Sequence, residues 1–398
     1  MKISHLILIV CLLAVGAHAQ TASRAVMHTK NARPVPPFAW GMDLSMLQYI
    51  QDHGVSYRDS GTAQDPLAIF QAHGVNYVRL RLFVNPNGKD GQVNTRPYTL
   101  KLAQRVKRAG LPLLLDFHYS DAWADPTHQT IPVAWKTLSH AQLVQRIFAY
   151  TQETMAAFAR AGCLPDMVEV GNEITNGLLW PDGGPLSEAD KWNDIGSEQP
   201  WPEADRPPAT KWDALADLLK AGIRGVRASD PKHTVKIMIH IDKGGNKAVS
   251  RLFFDALARR DVRFDVIGLS YYPFWHGTLA DLADSLAFLS RTYRKDIIVV
   301  ETGYGWNGGT QGALPFPPTP EGQKDFLAAL IRTVQATPGG HGKGVFYWAP
   351  EWIMGRKWTG PDWSPTWENR ALFDHEGNAL PAMGAFQPFK HNAHGKQP

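Results

Sequence analysis

Cysteine is nearly absent: 398 residues hold two, Cys11 and Cys163. Cys11 lies in an N-terminal apolar run expected to be removed, so no intrachain disulfide can form in the mature chain. Cys163 follows a helix-like segment and is expected to be a small buried hydrophobe. A strong charge of one sign is lacking too. Lys and Arg total 41 against 37 Asp and Glu, a formal net charge of +4. No stretch gathers the basic residues into a stripe, so nucleic acid is not an expected partner. Long apolar runs are confined to Leu6–Val15, preceded by Lys2 and followed by Ala17-His-Ala19. That run is too short to span a bilayer and reads as a secretory signal peptide over residues 1–19, cut after Ala19. The expected location is secreted or periplasmic, with no membrane partner after cleavage. Residues 20–36 are polar and contain Pro, as in a flexible leader. No Gly-rich phosphate loop follows an early strand, which argues against an open doubly wound sheet. No internal repeat or low-complexity linker is present, so residues 37–390 read as one domain and the chain as a monomer.

What the chain does have is alternation. Strand-like apolar runs occur at Phe38–Met42, Tyr77–Val84, Leu111–His118, Met167–Glu173, Thr234–Ile241, Phe264–Tyr272, Asp296–Glu301 and Gly344–Ala349. Helix-like segments separate most of them, and several carry start signals. Asp65-Pro66 and Thr319-Pro320 place a capping side chain before a first-turn proline. Eight strands alternating with about eight helices predict a single (β/α)8 TIM barrel. Polar and aromatic residues gather at the carboxyl ends of the runs: Asp43, Arg81, Asp116 and His118, Asn172 and Glu173, His240 and Asp242, Tyr272, Glu301, Trp348. In a barrel these ends form one rim, where the active site lies. The connections on that side, Tyr119–Leu138, Ile174–Ala209, Gly303–Pro318 and Pro350–Asn369, are long and rich in Trp, Gly and Pro. Loops of this length are usually functional. The chain has 14 Trp in all, and sugar rings lie well on indole planes.

Two of the rim residues suggest the chemistry. Met167-Val-Glu-Val-Gly-Asn-Glu173 and Asp296-Ile-Ile-Val-Val-Glu301 each end a buried run on a carboxylate. Burial raises a carboxyl pKa, which suits a general acid. A glycosidase that retains configuration needs two carboxyls about 5–5.5 Å apart, one to protonate the leaving oxygen and one to attack the anomeric carbon. Glu173 fits the acid/base and Glu301 the nucleophile. Arg81 and Tyr272 are the expected donors to Glu301. Asn172 is expected to bond the sugar 2-hydroxyl, and Trp348 to floor the sugar at the scissile bond. Trp123, His118, His240 and Asp43 complete the expected substrate contacts. Asp116 is expected to be a buried structural partner, and Glu169 to pair with Arg79 or Arg81. His118, Asp121, Asp125 and His128 match no compact metal spacing.

Asp116-Phe-His-Tyr-Ser-Asp-Ala-Trp-Ala-Asp-Pro126, with Gln129, Pro132 and Trp135, resembles the signature of family 53 glycoside hydrolases, the arabinogalactan endo-β-1,4-galactanases. So do Val78-Arg-Leu-Arg81, Val170-Gly-Asn-Glu-Ile-Thr-Asn-Gly177, Ser270-Tyr-Tyr-Pro-Phe-Trp-His-Gly277 and Glu301-Thr-Gly-Tyr304. The likeness runs from about residue 38 to 375. It implies a clan A barrel, retention of configuration, Glu173 as acid/base, Glu301 as nucleophile, and cleavage within β-1,4-galactan of pectin side branches. Another clan A polysaccharidase, of mannanase or cellulase type, would share both acids. A carbohydrate-binding barrel without activity would have lost one of them. Two departures stand out. Some relatives bind calcium after strand 7, but Tyr304-Gly-Trp-Asn-Gly-Gly-Thr-Gln311 offers no carboxylate, so no metal or other cofactor is expected. Relatives commonly place Glu directly after the strand 8 Trp, where this chain has Ala349, with Glu at 351.

Overall fold

Along the strands apolar residues run almost unbroken, as expected where a parallel sheet is covered on both faces. The computed structural model describes residues 36–89, 91–186, 209–308, 314–354 and 365–386. The expected signal peptide, the leader up to residue 35, Trp192, Trp201, Trp358, Trp363 and residues beyond 386 lie outside the described residues, as do residues 309–311 of the loop discussed for calcium. The strands are β1 (Ala39–Asp43), β2 (Tyr77–Leu82), β3 (Leu113–Phe117), β4 (Met167–Val170), β5 (Lys236–Ile241), β6 (Val266–Ser270), β7 (Asp296–Glu301) and β8 (Gly342–Trp348). They pair in parallel in that order and close with β8 against β1. This is the expected (β/α)8 barrel.

Seven helices alternate with the strands among the described residues: α1 (Pro66–Ala72), α2 (Arg96–Arg108), α3 (His140–Arg160), α4 (Ala209–Ser229), α5 (Lys247–Arg259), α6 (Leu279–Tyr293) and α7 (Pro320–Gln335). Their starts follow the local chemistry read from the sequence. The Asp65 carboxylate accepts from Leu67 N–H and the Thr319 hydroxyl from Gly322 N–H, which satisfies donors that a helix start leaves open. After β8 no helix of comparable length follows among the described residues. A 3-10 turn, Pro381–Phe386, packs against α7 instead, with Phe386 edge-on to Trp40. The sequence reading missed a short helix, Leu47–Asp52, and a small hairpin, Tyr57–Asp59 with Thr62–Gln64.

The barrel interior is layered because side chains alternate along each strand. The bottom layer is apolar: Ala39, Tyr77, Leu114, Met167, Met238, Val266, Ile298 and Phe346. Gly41 makes room for Phe346, whose ring lies where a Cβ would stand. Two residues further along β2, β3 and β4 come Arg79, Asp116 and Glu169, all buried. This charged layer forms the floor of the site.

Candidate active site

Arg79 is the centre of the floor. Its Nη1 donates to Asp43 Oδ2 at 2.9 Å and lies 2.8 Å from Glu301 Oε1. Its Nη2 reaches Asp116 Oδ2 at 3.1 Å, Glu169 Oε2 at 2.8 Å and Asn172 Oδ1 at 2.8 Å, while Nε donates to Glu169 Oε1 at 3.0 Å. One cation thus serves four carboxyl groups. It cannot neutralise them all, and burial penalises every unbalanced charge. Burial pushes Glu169 up to about 8, Glu301 up to about 7 and Asp116 up to about 6, against the pull of Arg79 in each case.

Glu301 reaches this floor through an irregularity. Ile298 and Val300 both belong to the barrel interior, so strict alternation would turn Glu301 outward. The β6–β7 register slips by one residue between Leu269↔Val299 and Ser270↔Glu301. Such a slip re-aims a side chain, and here it turns Glu301 inward to Arg79. Tyr272 Oη also donates to Glu301 Oε2 at 3.3 Å.

Glu173 is not on a strand. β4 ends at Val170, Gly171 follows with φ +93°, and Glu173 itself is left-handed at φ +45°, ψ +50°. The strand-like run expected over Met167–Glu173 therefore ends three residues early, at Val170. A non-glycine residue in this region is uncommon and costs on the order of 1 kcal/mol or more. The turn is fixed by hydrogen bonds from neighbouring strands. Ser270 Oγ donates to Glu173 Oε1 at 2.5 Å, and His240 Nε2 is 2.9 Å from Ser270 Oγ. Glu173 N–H points back to His240 Nδ1 at 3.4 Å. Among the described residues no cation touches Glu173. Its pKa is raised well above the ordinary carboxyl range, first by burial, then by the charges of Glu301 and Asp242.

Glu173, Glu301, Asn172, His118, Trp123, Tyr272 and Trp348 all line one cleft of about 620 Å³. His118 Nδ1 accepts from Ala124 N–H at 3.1 Å and its Nε2 lies 3.0 Å from Asp116 Oδ2, so the ring is neutral with its proton on Nε2. Asn172 is held at both ends, its Nδ2 donating to Ala124 O at 2.8 Å. Trp348 stands between Trp123 (6.1 Å between ring centroids), Trp352 (5.5 Å) and Trp367 (4.6 Å). Trp275, 58% exposed, caps the rim against Tyr272.

Three of the residues expected to contact substrate are not in the lining of this cleft. Asp43 is fully buried below the cleft, held to Arg79 and to Ser45 N–H. Arg81 does not touch Glu301. Its guanidinium is drawn aside by Asn94 Oδ1 at 3.2 Å and lies 4.4 Å over the Trp123 ring and 5.8 Å from Trp348, behind the lining indoles. His240 is fully buried and supports Glu173 through Ser270. Asp116 and Glu169 pair with Arg79, in line with the expectation of structural roles. Of His118, Asp121, Asp125 and His128, His118 lies against Asp116, His128 pairs with Asp125 at 3.1 Å, and Asp121 accepts from Asn85 and Val133 N–H. Glu351 also lies outside the cleft, fully buried, its Oε1 accepting from Met46 N–H at 3.1 Å. Sequence reasoning gave Ser270, Lys243 and His276 no role, considered Asp125 only as a metal ligand, and took Arg79 only as a partner for Glu169. Ser270 and His276 lay inside a quoted motif, and Arg79 shared a strand face with the residue chosen in its place.

The model of the glycosyl hydrolase family 53 matches residues 39–386. A probable arabinogalactan endo-β-1,4-galactanase A of Neosartorya fischeri is 38% identical over 79% of this chain and 84% of its own. An arabinogalactan endo-β-1,4-galactanase of Cellvibrio japonicus is 33% identical over 88% of this chain and 91% of its own. The solved family 53 catalytic domain of Ignisphaera aggregans superposes with a TM-score of 0.75 at 33% identity, covering 89% of this chain and 97% of that one. With a family match running through every barrel strand and both cleft carboxyls, the chain belongs to glycosyl hydrolase family 53.

Proposed function

We propose that the chain is a retaining endo-β-1,4-galactanase, cutting within (arabino)galactan of pectin side branches after export, with Glu173 as acid/base and Glu301 as nucleophile. The observation that carries the reading is the unequal setting of two carboxyls in one cleft. Glu301 is held by the Arg79 guanidinium and the Tyr272 hydroxyl, and Glu173 by one serine hydroxyl. The cation favours the anion at Glu301, while burial favours the neutral acid at Glu173.

In the first step the Glu301 carboxylate attacks the anomeric carbon as Glu173 gives its proton to the glycosidic oxygen, and the leaving sugar departs. Once Glu301 is esterified its charge is gone. Burial and the Glu301 charge are the two largest influences raising Glu173, so with the second gone its pKa falls, and the carboxylate left by the departed proton stays ionised, ready to take a proton from the attacking water. Water then attacks the same carbon and Glu301 is released. Names of family relatives that act on arabinogalactan support the substrate, and the indole-walled cleft supports a polysaccharide.

The test is reducing-end release from linear β-1,4-galactan beside mannan and cellulose. Galactan should be the substrate cut; equal or better cutting of either alternative would overturn the specificity. Glu301→Ala should abolish hydrolysis, and added azide should restore turnover with an inverted glycosyl azide. Undiminished hydrolysis by this variant, or an azide product of retained configuration, would overturn the nucleophile assignment.

A further inference from the structure

The two halves of the cleft differ in chemistry. The wall around Trp348 is indole, whereas the wall beside Glu173 carries Asp242, Lys243 and His276. These residues are tied to the turn that presents Glu173. Thr175, two residues past Glu173, bonds the Asp242 carboxylate, and its Oγ1 accepts from Asp242 N–H at 3.0 Å. Lys243 Nζ stands 2.9 Å from Asp242 Oδ2, with its side chain 10% exposed. His276 Nδ1 accepts from Tyr272 N–H at 3.1 Å, so its proton is on Nε2, which faces Asp242 at 3.9 Å.

A glycosidic acid protonates the oxygen of the sugar that leaves, so that sugar lies on the acid's side of the scissile bond. Resting on the reading of Glu173 above, we infer that Lys243 is a substrate-binding residue of the leaving-group subsite, donating from Nζ to hydroxyls of the departing sugar. Asp242 balances the ammonium. The pair therefore offers directed donors without net charge, which fits a neutral polyhydroxyl ring rather than an acidic one.

The experiment compares Lys243→Met and Lys243→Arg with the parent chain on two substrates: linear β-1,4-galactan, and a nitrophenyl β-galactobioside whose leaving group has no sugar hydroxyls. With Lys243→Met, kcat/KM on galactan should fall about ten- to a hundredfold, the loss expected for a charged hydrogen bond to substrate. The nitrophenyl substrate should change by less than about threefold, and transfer to added galactobiose, relative to hydrolysis, should fall along with galactan. Lys243→Arg should recover part of the loss. Equal losses on both substrates would overturn the proposal, because Lys243 would then act through Glu173 or the fold. No loss on galactan would overturn it as well. A parent chain inactive on both substrates would instead count against the proposed function itself.

Discussion

Glu169 and Glu173 are four positions apart and both are pushed upward by burial, yet they face opposite demands. Glu169 lies beneath the cleft, paired to Arg79 and raised by burial to about 8. A glutamine there keeps the shape and one oxygen to accept from Arg79. Glu169→Gln should therefore keep activity within about tenfold of the parent, whereas Glu173→Gln, stripped of a transferable proton, should lose on the order of 100-fold or more. Initial rates on galactan, with far-ultraviolet spectra to check folding, decide this; equal losses would overturn the assignment. The pH profile follows from the same groups. Glu301 must be ionised to attack and is raised to about 7 by burial, so kcat/KM should decline as pH falls through about 7. Glu173 must be protonated and is raised well above its usual range, so the alkaline decline should come later. A rate still rising below pH 6 would contradict this order.

At the scale of elements, the strand that leads to Glu173 is positioned from behind. Gly222 of α4 packs so closely that an added Cβ would lie 2.6 Å from Val170 Cγ1 and 2.9 Å from Tyr119 Oη. Gly222→Ala should overpack this seam, lowering stability by about 1–3 kcal/mol in denaturant unfolding. An unchanged midpoint would mean that the helix simply steps back. Periodicity, caps and strand ends were legible in the sequence because each depends on neighbouring residues: Asp65-Pro66 and Thr319-Pro320 mark helix starts, and the polar residues after apolar runs mark the rim. What was not legible depends on register. The slip that turns Glu301 inward is a relation between β6 and β7 with no local mark. Arg79 and Arg81 share one face of β2, and their division of labour is decided by partners from other elements, Asn94 and Trp123 for one, four carboxyls for the other. Nor does an apolar run announce that its backbone turns left-handed at Glu173.

At the scale of the whole molecule, these buried acids tie stability to pH. Asp116, Glu169, Glu301 and Glu351 all have folded values above their ordinary ones, at about 6, 8, 7 and 8, with burial as the largest cause in each. A raised folded value means that the native state holds the proton more tightly. The contribution to stability is complete below the unfolded value and is lost as pH rises through the folded one. The buried histidines His118, His240 and His276 are lowered by burial and oppose this trend until pH passes their unfolded value of about 6.5, so thermal unfolding should occur at progressively lower temperature between about pH 6.5 and pH 8, each carboxyl proton contributing a slope of about 1.4 kcal/mol per pH unit. A melting temperature that climbs over this interval would refute the arrangement of charges around Arg79.

One guanidinium shared by four acids also makes the folded barrel a reservoir of hydrogen ions. Near neutrality the chain must absorb them from solution as it closes and return them as it opens. The heat of unfolding should accordingly vary with the ionisation enthalpy of the buffer, differing between phosphate and Tris at one pH, and that difference would count the ions stored beneath the cleft.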